Sequence, residues 1–304
     1  MNKKSQKGSA ASNHDWLGQA TVLSEAMPFM QRYAGETFVI KFGGHAMAND
    51  RLTELFARDI VLLRQIGINP IVVHGGGPQI GKMLEQLKIK SEFVDGLRVT
   101  DAKTVNIVEM VLSGSINKKI VSDINSAGGF AVGLSGKDGN LIKCEKSKKT
   151  LTDPDTNLEV IKDLGFVGIP TEINPHILTL FNKSDITPII APIGTGPDGE
   201  TFNINADTVA GAIANAVSAR RLLMLTDVVG VMDNDGKLIS EMSLAQAKKL
   251  IEDNTISDGM IPKIETCIRA VEENVEAAVV IDGRVEHALL IELFTEGGVG
   301  TLIK

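Results

Sequence analysis

Two short β-branched runs, each closing on a glycine cluster, constrain this chain most. Phe38-Val39-Ile40 leads into Lys41-Phe42-Gly43-Gly44, and Ile71-Val72-Val73 leads into His74-Gly75-Gly76-Gly77. Runs of this kind read as strands buried on both faces. A segment with helical apolar spacing follows the first cluster: Leu52, Leu55, Phe56, Leu62, Leu63 and Ile66. Strands that alternate with helices require a mostly parallel sheet covered on both sides. Glycine just past a strand also lets backbone N–H groups approach a ligand, and clustered N–H groups form a nest for anions. One such cluster is as readily a plain turn. Two in corresponding places, the first with Lys41, point to a substrate rich in phosphate or carboxylate.

The same alternation continues to the C-terminus. It predicts further strands at 130–134, 186–191, 221–226, 277–281 and 299–303, and helices at 78–88, 101–127, 207–217, 243–252 and 259–274. Thr100-Asp101 supplies an N-cap pair for the long helix. Residues 136–172 are polar and turn-rich, which predicts hairpins over the sheet edge. A boundary near 219 divides a first α/β unit, 36–219, from a second, 220–304. Before the first strand, residues 1–35 read as a flexible tail, Met1 to Asn13, and a helix. Trp16, Ala20, Leu23, Met27 and Met30 give that helix an apolar stripe. Pro28 is expected to break or kink it and to open a second short helix. The stripe lies outside the α/β body, so it packs either on its own domain or on a neighbouring subunit.

Composition narrows the function classes. The 304 residues are 43% hydrophobic, enough for one large or two modest cores. A net charge of -7 and only 4% aromatic residues argue against nucleic-acid binding. No apolar run is long enough to span a membrane, and the N-terminus has no secretory h-region. Cys144 and Cys267 are too few for a disulfide scaffold, so they read as free thiols of a cytoplasmic protein. The five histidines show no metal-ligand spacing, so no metal held by protein side chains is expected.

A P-loop is excluded, because no G-x-x-x-x-G-K-[ST] occurs. Gly194-Thr195-Gly196-Pro197-Asp198-Gly199 matches G-x-G-x-x-G, but Pro-Asp-Gly is turn chemistry and no helix opens there, so it reads as a turn between strands. In Asn203-Ile204-Asn205-Ala206-Asp207, strand alternation points Asn203, Asn205 and Asp207 to one side. Asp207 is then either a helix cap or part of a polar site. Thr226-Asp227 stands at a strand end, where ligands of open α/β sheets bind. In Met260-Ile261-Pro262-Lys263 a lysine occupies the first turn of a helix, against the helix dipole. Either it is solvated or an anion waits there.

In order along the chain, these pieces resemble the acetylglutamate kinases of the amino-acid kinase family. The resemblance runs from about Phe38 to Lys304. It is carried by Lys41-Phe42-Gly43-Gly44, Val73-His74-Gly75-Gly76-Gly77-Pro78, Gly96-Leu97-Arg98-Val99-Thr100, Gly133-Leu134-Ser135-Gly136-Lys137-Asp138-Gly139, Asn203 to Asp207, Leu225-Thr226-Asp227 and Gly259-Met260-Ile261-Pro262-Lys263. Each motif alone is weak, and the ordered set is very specific. The opening helix and the closing His287 to Thr301 segment look like the arginine-inhibited branch.

The resemblance implies a three-layer α/β/α sandwich that phosphorylates the side-chain carboxylate of N-acetyl-L-glutamate with ATP, the second and committed step of arginine synthesis. It implies that the first domain holds the amino acid and the second holds ATP, which carries its own Mg2+. Matched residue by residue, Lys41 and Lys263 would be the catalytic lysines and Asp207 would hold them. Gly44, Gly76 and Gly77 would bind the moving phosphoryl group, Arg98 the α-carboxylate and Asn203 the acetylated amine, with Asn205 a further substrate-binding residue. Thr226, Asp227, Met260 and Lys263 would line the nucleotide site. His287, Glu292 and Gly300 would form an allosteric site for L-arginine, in a homohexamer built as a trimer of dimers through the N-terminal helix. Asp258 stands where the family more often has glycine, which puts nucleotide affinity in question. The residues give no sign for or against a PII signalling partner. Rival readings are another amino-acid kinase of this fold, or an arginine sensor without catalysis.

Overall fold

The alternation resolves into one eight-stranded sheet. The computed structural model describes residues 16–94, 96–152 and 159–304, so the tail expected over Met1 to Asn13 lies outside the described residues. In chain order, α1 (Trp16–Tyr33) precedes β1 (Thr37–Phe42), α2 (Asp50–Gln65), β2 (Asn69–His74) and α3 (Gly77–Gln86). A two-stranded ladder of β3 (Phe93–Val94) and β4 (Leu97–Arg98) follows. Then come α4 (Ala102–Glu109), α5 (Asn117–Ser126), β5 (Ala131–Ser135), β6 (Ile142–Thr152), β7 (Glu159–Ile173), α6 (His176–Lys183) and β8 (Thr187–Ala191). The chain continues through β9 (Ile193–Thr195), β10 (Thr201–Ile204), α7 (Ala206–Ala216), β11 (Arg221–Thr226), β12 (Glu241–Met242) and α8 (Leu244–Glu252). It closes with α9 (Ile261–Glu273), β13 (Ala277–Asp282), α10 (Ala288–Phe294) and β14 (Thr301–Ile303).

The sheet runs β12-β14-β13-β11-β1-β2-β8-β5. Every pairing is parallel except β13 with β14. Alternation along the strands loads two separate cores. Phe38, Ile40 and Phe42 of β1 face the layer that holds Phe56, Ile60, Leu112 and Leu289. Val39 faces the opposite layer, with Val209, Ile213, Ile264 and Cys267. That is the three-layer arrangement of a doubly covered sheet. The sheet is continuous across position 219, since β1 pairs directly with β11. The hairpin β6–β7 joins β9 and β10 in a small closed sheet, and the Gly194 to Gly199 segment is the turn of the antiparallel β9–β10 pair.

Two elements differ from the sequence reading. Pro28 does not end α1, which stays helical from Trp16 to Tyr33. Proline forfeits a single hydrogen bond, to the residue four back, and that residue, Ser24, is exposed to water. The long helix expected over 101–127 is α4 and α5 joined through a π-helical segment, Met110–Ile116. Asp101 caps it, accepting from the Thr104 N–H at 2.7 Å. The apolar stripe of α1 does not pack on this chain's own body over most of its length. Trp16, Leu23 and Met27 are exposed, whereas Phe29 and Tyr33 seat the last turn on the core.

Candidate active site

β1 and β2 run side by side with Lys41 opposite Val73 and Phe42 opposite His74. Both glycine clusters therefore leave the sheet at the carboxyl ends of neighbouring strands, joined by the Gly75 N–H donating to the Phe42 carbonyl at 2.8 Å. Gly44 opens a 3-10 turn, Gly44–Ala48, and Gly76 caps α3, whose first residues are Gly77 and Pro78. The N–H groups at the start of α3 have no partners within the helix. A side chain at Gly76 would force its neighbours to move: a Cβ there would lie 2.5 Å from Ile116 Cδ1 and 2.6 Å from Leu112 Cδ2.

Across from this nest stands a charged junction. Asp207, in the first turn of α7, is buried, with Lys41 Nζ 3.0 Å from Oδ1 and Lys263 Nζ 3.1 Å from Oδ2. Burial pushes the Asp207 carboxyl up, but the two ammonium groups outweigh it and hold the carboxyl below its ordinary range. Lys263 comes from the first turn of α9, and α9 reaches α7 closely because Gly211 leaves room: a Cβ there would lie 2.8 Å from Thr266 Cγ2. Asn205, not Asp207, caps α7, with its side-chain oxygen accepting from the N–H groups of Asp207 at 2.8 Å and Thr208 at 3.2 Å. The strand expected to aim Asn203, Asn205 and Asp207 together ends at Ile204. The three still line one cavity, because the cap turns the chain back over the strand end.

That cavity, about 260 Å³, is lined by Lys41, Gly44, Gly76, Gly77, Arg98, Asn203, Asn205, Asp207 and Lys263, among others. Arg98 is buried, with Nη2 donating to the Gly77 carbonyl at 3.0 Å and Nη1 donating to Ser91 Oγ. Its guanidinium lies 4.5 Å from the Phe93 ring centroid, since Phe93 and Arg98 face each other across the β3–β4 ladder. Burial lowers its hold on the proton, and among the described residues no carboxylate pairs with it. Ser91 and Phe93 escaped the sequence reading; the one available signal was an aromatic residue a hairpin away from an arginine. Asn203 lies 3.5 Å from Thr100 Oγ1.

Thr226, Asp227 and Met260 lie outside this cavity. The Thr226 hydroxyl donates to the Val228 carbonyl at 3.2 Å and accepts from the Val228 N–H at 3.3 Å, so it shapes its own turn. Asp227 neighbours Gly44 and lines a second cavity, about 620 Å³, with Asn49, Arg51, Leu52, Arg284 and Glu286. Met260 ends the 3-10 turn before α9 and packs on the second core. The side chain of Asp258 lies outside the described residues.

At the far end of the sheet, Glu292 and Gly300 line a third cavity, about 420 Å³, with Phe29, Arg32, Tyr33, Arg221, Glu276 and others. Glu292 accepts from the N–H groups of Val299 at 2.8 Å and Gly300 at 3.2 Å; burial raises its carboxyl, against those bonds and Arg221. Gly300 is fixed by packing, because a Cβ there would lie 2.2 Å from the Val280 carbonyl oxygen. His287 does not line this cavity. Its Nδ1 lies 2.6 Å from the buried Asp59 carboxylate on α2.

The description "Amino acid kinase family" matches residues 36–282. An acetylglutamate kinase of Rhodospirillum centenum is 64% identical over 97% of this chain and 96% of its own. One from Rhodospirillum rubrum is 63% identical, over 95% and 93%. Among solved structures, an N-acetylglutamate synthase of Neisseria gonorrhoeae, complexed with coenzyme A and N-acetyl-glutamate, superposes with a TM-score of 0.80. It is 24% identical over 93% of this chain and 63% of that chain, so it shares the fold. A carbamate kinase of Giardia lamblia bound to AMP-PNP gives a TM-score of 0.63 at 19% identity, over 89% and 99%. Two lysines meeting on one buried carboxylate beside a backbone nest thus sit in a sequence matched nearly end to end by kinases: the chain is an enzyme of the amino acid kinase family and belongs with its acetylglutamate kinases.

Proposed function

We propose that the enzyme transfers the γ-phosphoryl group of ATP to the side-chain carboxylate of N-acetyl-L-glutamate, giving N-acetyl-L-glutamyl 5-phosphate, the second step of arginine biosynthesis. One observation carries the reading: a paired-lysine junction, a backbone nest and a buried arginine that has no carboxylate partner among the described residues all line one cavity. Phosphoryl transfer to a carboxylate brings anion to anion, and the barrier falls when positive charge and N–H donors surround the transferred group. Lys41 and Lys263, held on Asp207, keep net positive charge there. Gly44, Gly76 and Gly77 add backbone N–H donors. Arg98 suits the substrate α-carboxylate, because its fork can meet both oxygens. Asn203 suits the acetylated amine, whereas the Asn205 oxygen is already committed to α7. No general base is required, since a carboxylate is ionised near neutral pH.

Residues 36–219 would carry the amino acid and 220–304 the nucleotide, with Thr226, Asp227 and Met260 at the nucleotide's edge. Both Asp207 oxygens are held by ammonium groups, so this carboxylate suits lysine positioning better than metal ligation. Mg2+ carried on the nucleotide phosphates would supply charge neutralisation there. L-arginine, cationic at its side chain, suits the third cavity, where Glu292 and Glu296 stand beside Glu276, paired with Arg221, and Glu241, paired with Lys304. His287, tied to Asp59, would act by holding the approach to α10. The exposed stripe of α1 supports assembly into a hexamer. A biosynthetic enzyme with two reduced thiols fits the cytoplasm, and among the described residues no helix is long and apolar enough to cross a membrane.

Incubation with Mg2+, ATP and N-acetyl-L-glutamate, followed by hydroxylamine, tests the reading. The expected result is the hydroxamate of an acyl phosphate. Folded protein that yields none, or that prefers glutamate, aspartate or UMP, overturns it.

A further inference from the structure

His74 ends β2 directly before the nest, is fully buried, and has no part in the chemistry above. Its Nδ1 lies 2.9 Å from the Gly75 carbonyl oxygen. A carbonyl only accepts, so Nδ1 carries the hydrogen. Its Nε2 lies 3.3 Å from Asn117 Nδ2. The orientation of that amide is set from elsewhere: Nδ2 also donates to the carbonyls of Ile189 at 2.8 Å and Leu134 at 3.3 Å, while Oδ1 accepts from Lys118 Nζ at 3.1 Å. Asn117 therefore turns its donor end toward His74, sharing two hydrogens among three acceptors, and an Nε2–H would find no acceptor there. Only the neutral Nδ1–H tautomer satisfies both neighbours. Burial drives the imidazole down to about 4; the Gly75 bond opposes this, and Lys118, the ionisable group acting on it, reinforces it.

The bond matters because of peptide geometry. The Gly75 carbonyl and the Gly76 N–H belong to one planar trans peptide and point in opposite directions. Holding the carbonyl from below fixes the N–H above, and hydrogen bonds in series polarise one another. Gly76 lines the cavity, and Leu112 and Ile116, from the π-helical segment, wall its other side. That segment also delivers Asn117 to His74, and irregular turns of this kind recur at functional sites.

We infer that His74 is a positioning residue for phosphoryl transfer: its Nδ1–H grips the Gly75 carbonyl so that the Gly76 N–H is presented to the transferred group. The inference rests on the reaction proposed above. Two amide variants test it in the full chain. In His74→Asn the side-chain N–H can take the place of Nδ1–H; in His74→Gln the amide reaches the Nε2 position and loses the grip on Gly75. His74→Gln should lower kcat by about 10- to 100-fold, with KM for both substrates within about 2-fold of wild type. His74→Asn should recover kcat to within about 5-fold of wild type. Nitrogen-15 NMR of the wild-type imidazole should report the neutral Nδ1–H tautomer, unchanged between about pH 5.5 and 8. Equal losses in both variants, a loss confined to KM, an Nε2–H tautomer, or titration in that range each overturn the inference. If either variant unfolds below the assay temperature, the tautomer decides. A wild-type enzyme that makes no acyl phosphate instead overturns the reading of the reaction.

Discussion

Asp207 is held between opposing demands: burial favours its neutral form, and two ammonium groups favour its charge. Because its carboxyl is held below the ordinary value of 3.8, its stabilising contribution is present above that value and is lost as pH falls through the depressed one. The wild-type enzyme should therefore show no acid limb from this group above about pH 5. Asp207→Asn leaves two ammonium groups adjacent without a counter-charge, so one lysine shifts toward its neutral form. We expect kcat to fall by about 10²-fold or more, and the residual kcat to rise as pH is lowered from about 9 to 6. Parallel kcat–pH profiles for variant and wild type would contradict the junction's role. Lys41→Ala and Lys263→Ala should each lower kcat by about 10²-fold, whereas Arg98→Ala should chiefly raise KM for the amino acid. An Arg98→Ala enzyme with lowered kcat and unchanged KM would reassign that residue. At this scale the sequence was legible wherever residue type alone announces chemistry, as with a lysine before two glycines. It was silent on which oxygen caps a helix, because Asn205 and Asp207 are both good caps and only the backbone path decides between them.

Elements were readable where they are long and periodic. The helices that escaped are α6 and α10, of eight and seven residues, too short for a 3.6-residue period to stand out. The π-helical interruption is invisible to periodicity, because Val111, Leu112 and Ile116 keep an apolar face through it. α10 is tied to α2 through His287 and Asp59, a contact between residues distant in sequence that no local pattern encodes. Burial raises the Asp59 carboxyl to about 6, and the His287 hydrogen bond and charge offset this only in part. A carboxyl raised in the fold stabilises fully below its unfolded value, and that contribution is lost as pH rises through about 6. Asp59→Asn keeps the shape and an acceptor for His287 without the buried charge. Its Tm should exceed that of wild type at about pH 8, by the equivalent of roughly 1–3 kcal/mol, and the difference should shrink toward about pH 4. Thermal melts at both pH values check this. An Asn variant less stable than wild type at pH 8 would mean that the hydrogen bond from His287 to the carboxylate outweighs the cost of burial.

Across the whole molecule, most of α1 faces solvent in a single chain. Trp16 is 70% exposed and Leu23 64%. Apolar side chains spaced along one helix face need a covering surface, and a second copy of the same helix offers a complementary one. The last turn is different. Tyr33 is buried, meets Phe38 edge-on at 5.2 Å between ring centroids, and lies beneath the Arg221 guanidinium, while Phe29 packs on the core. Phe29, Arg32 and Tyr33 also line the third cavity, so one helix touches both the proposed assembly surface and the proposed arginine site. Arginine bound there would bias the packing of α1 and, through it, the geometry of the proposed ring. The position of the cut therefore matters. Removing residues 1–33 strips core contacts along with the stripe, whereas removing 1–27 takes Trp16, Leu23 and Met27 and leaves Phe29 and Tyr33 seated. The shorter deletion should yield a folded enzyme with kcat within about 3-fold of the full chain. Under the proposed assembly and inhibition, light scattering should show hexamers for the full chain and dimers for the truncated one, and the arginine concentration for half-inhibition should rise by about 10-fold or more. Truncated hexamers that keep full arginine sensitivity would remove α1 from both roles, and dimers that remain equally sensitive would separate inhibition from assembly.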